Sequence, residues 1–415
     1  MNQRSETGER RTLRTLSWVK SVHLLTFALA MPLGPQLARV MDFTPVQHGL
    51  FSAAYPLTAG LCGFLLLFFA DRFAGRRSLL AVCGAFSLGL FATAVADGFV
   101  ELLLSRVFCG ACGGLLCAWL PVCVTRTSAA PNHRPLLSRT LGWVPAIGIG
   151  LGLPVVFFVA TALDWRAGFV LLGIVMALSI PFLLSLPSLA HPTFARHVSE
   201  RQLKVLLHQR RNRIALGVGA LLAASSALMV TFFSGVMVLN AGFAERDLPI
   251  FFLIGGSVAL LTLPAIERWA AGRNPFRVLI VISGWAVLSY AALASFGSNA
   301  AGWFIAMPVV MLFMLTNAAR FAPASVLINL HLKPRYVARY LGLSAVAQQT
   351  AAGMGMLIAG FAITHPTTGP LHGVPLAATL ATLLLGAAVW LAGGLQRHPR
   401  DTRSAVPLMR ESPAD

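Results

Sequence analysis

Ala70-Asp71-Arg72-Phe73-Ala74-Gly75-Arg76-Arg77 is a short charged insert between two long apolar runs, and a degraded copy, Ile266-Glu267-Arg268-Trp269-Ala270-Ala271-Gly272-Arg273, returns about half a chain later. An acid-Arg-aromatic-Ala turn crowded with positive charge, used twice between apolar stretches, predicts a duplicated bundle of membrane helices.

The composition agrees. Of the 415 residues 57% are apolar and 11% charged, with a mean hydropathy of +0.75. A soluble chain of this length could not cover its surface with so few polar side chains, whereas lipid asks only that backbone groups bond internally. Runs of about 20 apolar residues are read as spanning helices. They predict twelve spans, near 18–38, 47–70, 78–96, 99–123, 140–162, 167–187, 214–240, 248–266, 278–297, 302–330, 340–364 and 374–395.

The connections are short except for residues 188–213, which are rich in His, Arg and Gln. The expected organisation is a tail over 1–17, a six-helix half over 18–187, a central loop over 188–213, a second six-helix half over 214–395 and a tail over 396–415. Internal spacing supports duplication: Asp71 and Glu267 are 196 apart, Arg139 and Arg339 are 200 apart, and Arg106 and Arg320 are 214 apart.

The net charge of +18 would suit nucleic acid, but its placement argues against such a partner. Counting Lys20, at the start of the first span, with the N-terminal tail, all but five of the 32 Lys and Arg residues fall in the two tails and in alternate connections. Three of the five, Arg39, Arg166 and Arg246, share the opposite loops with Asp42, Asp97, Glu101, Asp164, Glu245 and Asp247. The positive-inside rule then places both termini in the cytoplasm. An N-terminal basic stretch before an apolar run ending Ala28-Leu29-Ala30 has the outline of a signal peptide. The run continues through Met31, Leu33 and Leu37, and its removal would invert the charge alternation, so the first span is expected to be retained.

The remaining two arginines, Arg106 and Arg320, fall inside predicted spans. A charge at membrane depth costs about 2.5 kcal/mol or more, and such residues usually face a cavity or a partner. No Asp or Glu falls mid-span, so His23 is the mid-depth side chain that titrates near neutral pH and the candidate proton site. The bland readings stay open: each arginine can bond carbonyls of neighbouring helices, and a lone His can be a packed core residue. Thr26, Tyr55, Ser225, Ser226, Thr231, Asn317, Asn329, Gln348 and Gln349 are candidate lining groups, with Asn317 three residues from Arg320 on one helix face.

The chain has no HExxH, P-loop or GxSxG motif, so neither an enzyme nor a cofactor is expected. The six cysteines all lie in spans of the first half. Cys109 and Cys112 have CxxC spacing, but beside Gly110, Gly113 and Gly114 they read as small packing residues rather than a metal or redox pair. His365 and His372 share an outer loop with Pro366, Gly369 and Pro370 and read as part of a solvated turn.

These residues resemble the major facilitator superfamily of secondary transporters. Asp71 to Arg77 looks like its loop motif between helices 2 and 3. Arg106 followed by Gly110, Gly113 and Gly114 looks like its helix 4 motif. Gly148, Gly150, Gly152 and Pro154 partly match the antiporter motif of helix 5, and Asp164-Trp165-Arg166-Ala167-Gly168-Phe169 resembles the entry to helix 6. Pro32 to Pro35, Arg320 to Pro323 and Gln348-Gln349 resemble a bacterial branch of drug or sugar efflux permeases. The chain departs from these patterns in having Leu67 where the loop motif has Gly, and Thr26 where the branch often has a carboxylate three residues after His23.

The resemblance implies an all-α, twelve-helix fold of two pseudo-symmetric six-helix halves, rocking about a midplane cavity lined by helices 1, 4, 7 and 10. It implies a secondary transporter of the bacterial cytoplasmic membrane, active as a monomer, with a small-molecule solute, protons and the lipid bilayer as partners. The expected activity is proton-linked efflux of an amphipathic or anionic compound. Import or exchange on the same fold, and a non-transporting receptor or membrane-embedded enzyme, are the alternatives. Arg106, Arg320, Asn317, Thr26, Tyr55 and Gln348 are the expected cavity residues, and Asp71, Arg72, Arg76, Glu267 and Arg268 the expected cytoplasmic latch.

Overall fold

The computed structural model describes residues 2–67, 75–127, 136, 139–186, 206–297, 302–329, 337–364 and 369–396. Its helices follow the apolar runs. α1 is Gly8–Leu29, bent by 55° into Gly34–Met41. Pro32 and Pro35 bracket the bend, where proline withholds the N–H donors a continuous helix needs. Then come α2 (Pro45–Leu67), α3 (Arg76–Val95), α4 (Phe99–Val124), α5 (Arg139–Ala162), α6 (Trp165–Leu184), α7 (Arg210–Asn240), α8 (Glu245–Gly272), α9 (Pro275–Ala294), α10 (Trp303–Ile328), α11 (Val337–Ala362) and α12 (Val374–Gln396).

Ten of these are long and apolar enough to cross a membrane, and the bent α1 makes eleven. The exception is α11, the span expected at 340–364, which carries Arg339, Gln348, Gln349 and Thr350. Its most extensive packing is against α2 and α7, with further contact on α4. A helix covered by protein on several faces can keep polar side chains that a lipid-facing helix could not.

Two boundaries differ from expectation. The predicted tail over 1–17 is helical from Asn2, with Thr12, Thr15 and Leu16 buried and both threonine hydroxyls bonded to carbonyls one turn back. The second copy of the charged insert, expected as a turn, forms the last two turns of α8. Nothing between Ile266 and Ala271 breaks a helix, and the stop comes at Gly272. In the first copy, Gly75 precedes α3 as its N-cap, while Ala70, Asp71, Arg72, Phe73 and Ala74 lie outside the described residues.

Helix pairs with much shared surface are α3 with α6, α2 with α4 and α1 with α5 in the first group of six, and α7 with α12, α8 with α10 and α9 with α12 in the second. The two groups meet along α2 with α11 and α5 with α8, with a smaller contact of α4 on α11. Small residues permit the α2–α11 contact. A Cβ on Gly49 would stand 2.7 Å from the Cα of Gly360, and one on Gly353 would stand 2.6 Å from Leu57 Cγ.

The acidic loops gather at the end of the bundle opposite the Lys/Arg-rich connections. There Arg166 pairs with Asp97 at 2.7 Å, and Arg39, in the bent extension of α1, pairs with Glu245 at the start of α8 at 3.0 Å. The same end carries the loop between α11 and α12, closed by mutual backbone hydrogen bonds between Thr364 and His372. Gly373 follows at φ +82, a backbone region that disfavours any side chain, and a Cβ there would run into the Ala362 carbonyl oxygen. His365 lies outside the described residues. Because Arg39 is largely exposed and Glu245 half-buried at the surface, Arg39→Ala is expected to change stability by less than about 1 kcal/mol. Thermal melts in detergent at low and high salt check this, the small difference shrinking further as salt rises.

Candidate functional site

Two adjoining cavities lie between the helix groups. The first, about 410 Å³, is lined by Lys20 of α1, Cys117 of α4, Trp143 of α5, Glu267 of α8, Ser325 of α10 and Gln348 of α11, among others. It sits toward the Lys/Arg-rich end, as Glu267 is five residues from the end of α8 and Val337, which also lines it, begins α11. The second, about 310 Å³, lies deeper among Met31, Leu153, Val230, Phe252 and Leu260, with Asn317 its sole side-chain amide. Ala146, Leu263 and Ala318 line both, so the cavities share a wall. The first carries a charge of each sign and several polar groups on a largely apolar wall, and is the more polar of the two; the second is apolar apart from Asn317.

His23 is fully buried one turn along α1 from Lys20. Its Nδ1 is 2.6 Å from Tyr55 Oη of α2, and its Nε2 is 3.2 Å from Cys117 Sγ of α4. Lys20 Nζ approaches the same sulfur at 3.8 Å. Either neutral tautomer is bonded at both nitrogens. In one, Tyr55 donates to Nδ1 while Nε2–H donates to sulfur; in the other, the thiol donates to Nε2 while Nδ1–H donates to Tyr55. Gly113 makes this approach possible, because a Cβ there would meet Tyr55 Oη and His23 Nδ1. The chain Lys20–Cys117–His23–Tyr55 thus runs from the polar cavity into the interior of the first helix group.

Tyr55 connects in turn to Arg106, whose guanidinium carbon stands 4.7 Å from the tyrosine ring centroid, with the rings of Phe51 and Phe169 at 5.4 and 5.9 Å. Arg106 Nη1 donates to the Thr26 carbonyl at 3.1 Å. Thr26 itself is fully buried, its hydroxyl turned back to the Val22 carbonyl. Arg320 is held in the second group: Nη1 donates to Tyr290 Oη at 2.7 Å, and Nη2 to Asn317 Oδ1 at 2.8 Å, the Leu222 carbonyl at 3.3 Å and Ser226 Oγ.

Arg106, Arg320, Thr26 and Tyr55, expected on the cavity wall, therefore pack inside their own helix groups and line neither cavity. Helix number says that α4 and α10 border the cavity; it does not say which face a guanidinium takes. Aromatic faces and one hydrogen bond hold Arg106, whose Nε and Nη2 have no hydrogen-bond partner among the described residues, while charge-assisted hydrogen bonds hold Arg320 at all but its Nε. Asn317 borders the second cavity and Gln348 the first, the latter amide donating to Ser344 Oγ at 2.8 Å.

The expected latch residues divide. Asp71 and Arg72 lie outside the described residues. Arg76, at the start of α3, donates to the Leu184 and Leu186 carbonyls at 3.2 and 2.9 Å, a cation at the C-terminus of α6 within the same group, where the helix dipole favours it. Arg268 is exposed and donates weakly to its own helix at Pro264. Glu267 turns to the cavity, where Trp143 is its hydrogen-bond partner.

Sequence reading passed over Lys20, Cys117, Trp143 and Tyr290. The three-residue step from Lys20 to His23 could have flagged the lysine as sharing the histidine's helix face. The others meet their partners across helices, and no spacing along the chain encodes that.

An all-helical bundle of many membrane spans, with a cavity between two helix groups, is the architecture on which secondary transporters are built. The chain belongs to the Major Facilitator Superfamily, whose sequence profile matches residues 16–356. It is 27% identical over 135 residues to a hexuronate transporter of Bacillus subtilis (strain 168), covering 32% of each chain. It is 25% identical over 328 residues to a vacuolar membrane amino acid uptake transporter of Schizosaccharomyces pombe, covering 74% of this chain and 53% of that one. The matches thus span about a third and about half of those relatives' lengths. The fold is similar to that of the nucleoside transporter NupG, with a TM-score of 0.69 and 16% identity over 96% of this chain and 99% of that one.

Proposed function

We propose that this chain is a proton-linked exporter of a small amphipathic or anionic solute, working as a monomer in the bacterial cytoplasmic membrane with both termini in the cytoplasm. The observation that carries this reading is His23, bonded at both ring nitrogens and connected through Cys117 to the cavity. On the orientation expected from the Lys and Arg placement, the cavity faces the cytoplasm. Once the halves have rocked and the cavity faces the other side, hydronium there gives a proton to the Cys117 sulfur as the thiol proton moves to Nε2. The proton leaves by the reverse transfer when the cavity faces the cytoplasm again, so that it travels inward as the solute travels outward. Arg106 fixes the Tyr55 ring and so holds the imidazole in register. Asp71 and Arg72, which fall between α2 and α3 in the sequence, are the proposed cytoplasmic latch residues.

In proteoliposomes with an imposed pH gradient, His23→Ala is expected to lower gradient-driven flux by at least about tenfold while exchange at equal pH survives, a loss of the size that follows from removing a positioned proton carrier. Cys117→Ala is expected to slow flux by a smaller factor, with Cys117→Ser restoring part of it. Equal gradient-driven flux in wild type and His23→Ala would refute the assignment. A second reading, import, is favoured by the fission-yeast relative, named an uptake transporter; solute accumulating along the inward proton gradient would select it over export.

A further inference from the structure

The polar cavity holds a lysine and a carboxylate that do not pair with each other. Lys20 and Glu267 both line it, from α1 and α8, which belong to different helix groups. Among the described residues the ion pairs are Arg39–Glu245 and Arg166–Asp97, both at the other end of the bundle. Within the protein, Lys20 Nζ has the Cys117 sulfur at 3.8 Å and Glu267 has the Trp143 indole, a weak partner and a neutral one. Both side chains are half-buried. A half-buried charge at membrane depth is stabilised by water or by a ligand of opposite sign.

From this arrangement we infer that the transported solute is a zwitterion with an apolar group: its anionic end is taken by Lys20, its cationic end by Glu267, and its apolar part by the adjoining cavity of Met31, Leu153, Phe252 and Leu260. This narrows the solute class proposed above and rests on the transporter reading, but not on the direction of flux or on proton use. A solute with one charge gains one partner and meets the other wall residue as a like charge, so the pair rejects simple anions and simple amines together. An uncharged sugar gains neither. Trp143 and Gln348 add a donor and an amide to the polar wall. The wall shared through Ala146, Leu263 and Ala318 presents no polar side chain between head and tail.

The test uses the full-length chain, purified in detergent, with binding read by ligand-induced thermal shift and by tryptophan fluorescence. The probes are L-leucine and leucyl-leucine, each compared with its N-acetylated and its decarboxylated counterpart. Zwitterions are expected to bind at least about tenfold more tightly than either singly charged counterpart, the loss that removing one charge-assisted contact brings. Lys20→Ala is expected to remove the preference for the intact carboxylate and leave that for the amine. Glu267→Gln is expected to do the reverse, and Lys20→Arg and Glu267→Asp to retain both preferences. Gel-filtration profiles identify variants that fail to fold, and the two conservative variants then carry the comparison with the N-acetylated and decarboxylated probes.

Binding of none of the zwitterions, equal binding of the singly charged probes, or charge preferences unmoved in Lys20→Ala and Glu267→Gln would each overturn the inference. Zwitterion binding without flux in proteoliposomes would uphold the binding site and overturn the transporter reading on which the inference rests. Flux of a singly charged solute with no zwitterion binding would do the opposite.

Discussion

Gly360→Val abolishes most transport while leaving the protein folded: this is the expected result with the largest effect on function. A Cβ on Gly360 would stand 3.0 Å from the Cα of Gly49 and 3.2 Å from the Pro45 carbonyl oxygen, and one on Gly49 would stand 3.1 Å from the Met356 carbonyl oxygen. These obstacles are backbone atoms, so no rotamer change relieves them; α2 and α11 must separate. Those helices belong to different halves, and the contact lies at the end that carries Arg39 and Glu245, remote from the polar cavity. Overpacking of about 1–3 kcal/mol falls on the state closed at that end, a shift of roughly 5- to 150-fold in the conformational equilibrium. Spin labels at Val40 and Arg246, both exposed, are expected to report a longer distance in the variant by pulsed EPR, with flux reduced in proportion. Wild-type flux together with an unchanged label distance would show that this contact is not part of the alternation.

Arg320→Ala is expected to produce the largest loss of stability. The side chain joins α7, α9 and α10 through Leu222, Ser226, Tyr290 and Asn317. Its removal ends several hydrogen bonds to a charged donor, about 1.5–3 kcal/mol each, even though Asn317 Oδ1 keeps the Tyr290 hydroxyl, and leaves a void where packing had been. A total of about 3 kcal/mol or more is a large part of the stability of an ordinary domain, so the detergent-solubilised yield and melting temperature should both fall sharply. Arg320→Lys keeps the charge but not the planar fork that reaches Tyr290 and Asn317 together, and should lie between. If Arg320→Ala melts like the wild type and only flux is lost, the arginine serves the solute or the coupling ion rather than the bundle.

The two arginines also mark the limit of sequence reading. Apolar runs interrupted by charge located the helices, because lipid forces each spanning backbone to satisfy its own hydrogen bonds. The same logic singled out Arg106 and Arg320 as buried charges in need of partners. Asn317, one turn from Arg320 on the same helix, was legible from spacing; the other partners, Tyr55, Phe51 and the Thr26 carbonyl for Arg106 and Tyr290 and Ser226 for Arg320, come from other helices, so no local pattern names them. Glu267 illustrates the reverse. Its place in a repeated motif suggested a loop and a latch, whereas the helix runs on through Ala270 and Ala271 and carries the carboxylate to the cavity wall.

By itself, the amino-acid sequence determined that this chain lives in a bilayer, that it is all-helical, that its architecture is duplicated, and which family it resembles. Each of these depends on composition and period, which are properties of residues near one another in the chain. Tertiary structure alone decided that His23 reaches the cavity through Cys117, that the arginines brace their own halves, and that Lys20 and Glu267 share one cavity without pairing. Those outcomes depend on which face each helix turns to its neighbours, and that is settled by close packing at glycines such as Gly49, Gly113 and Gly360 rather than by any spacing along the chain.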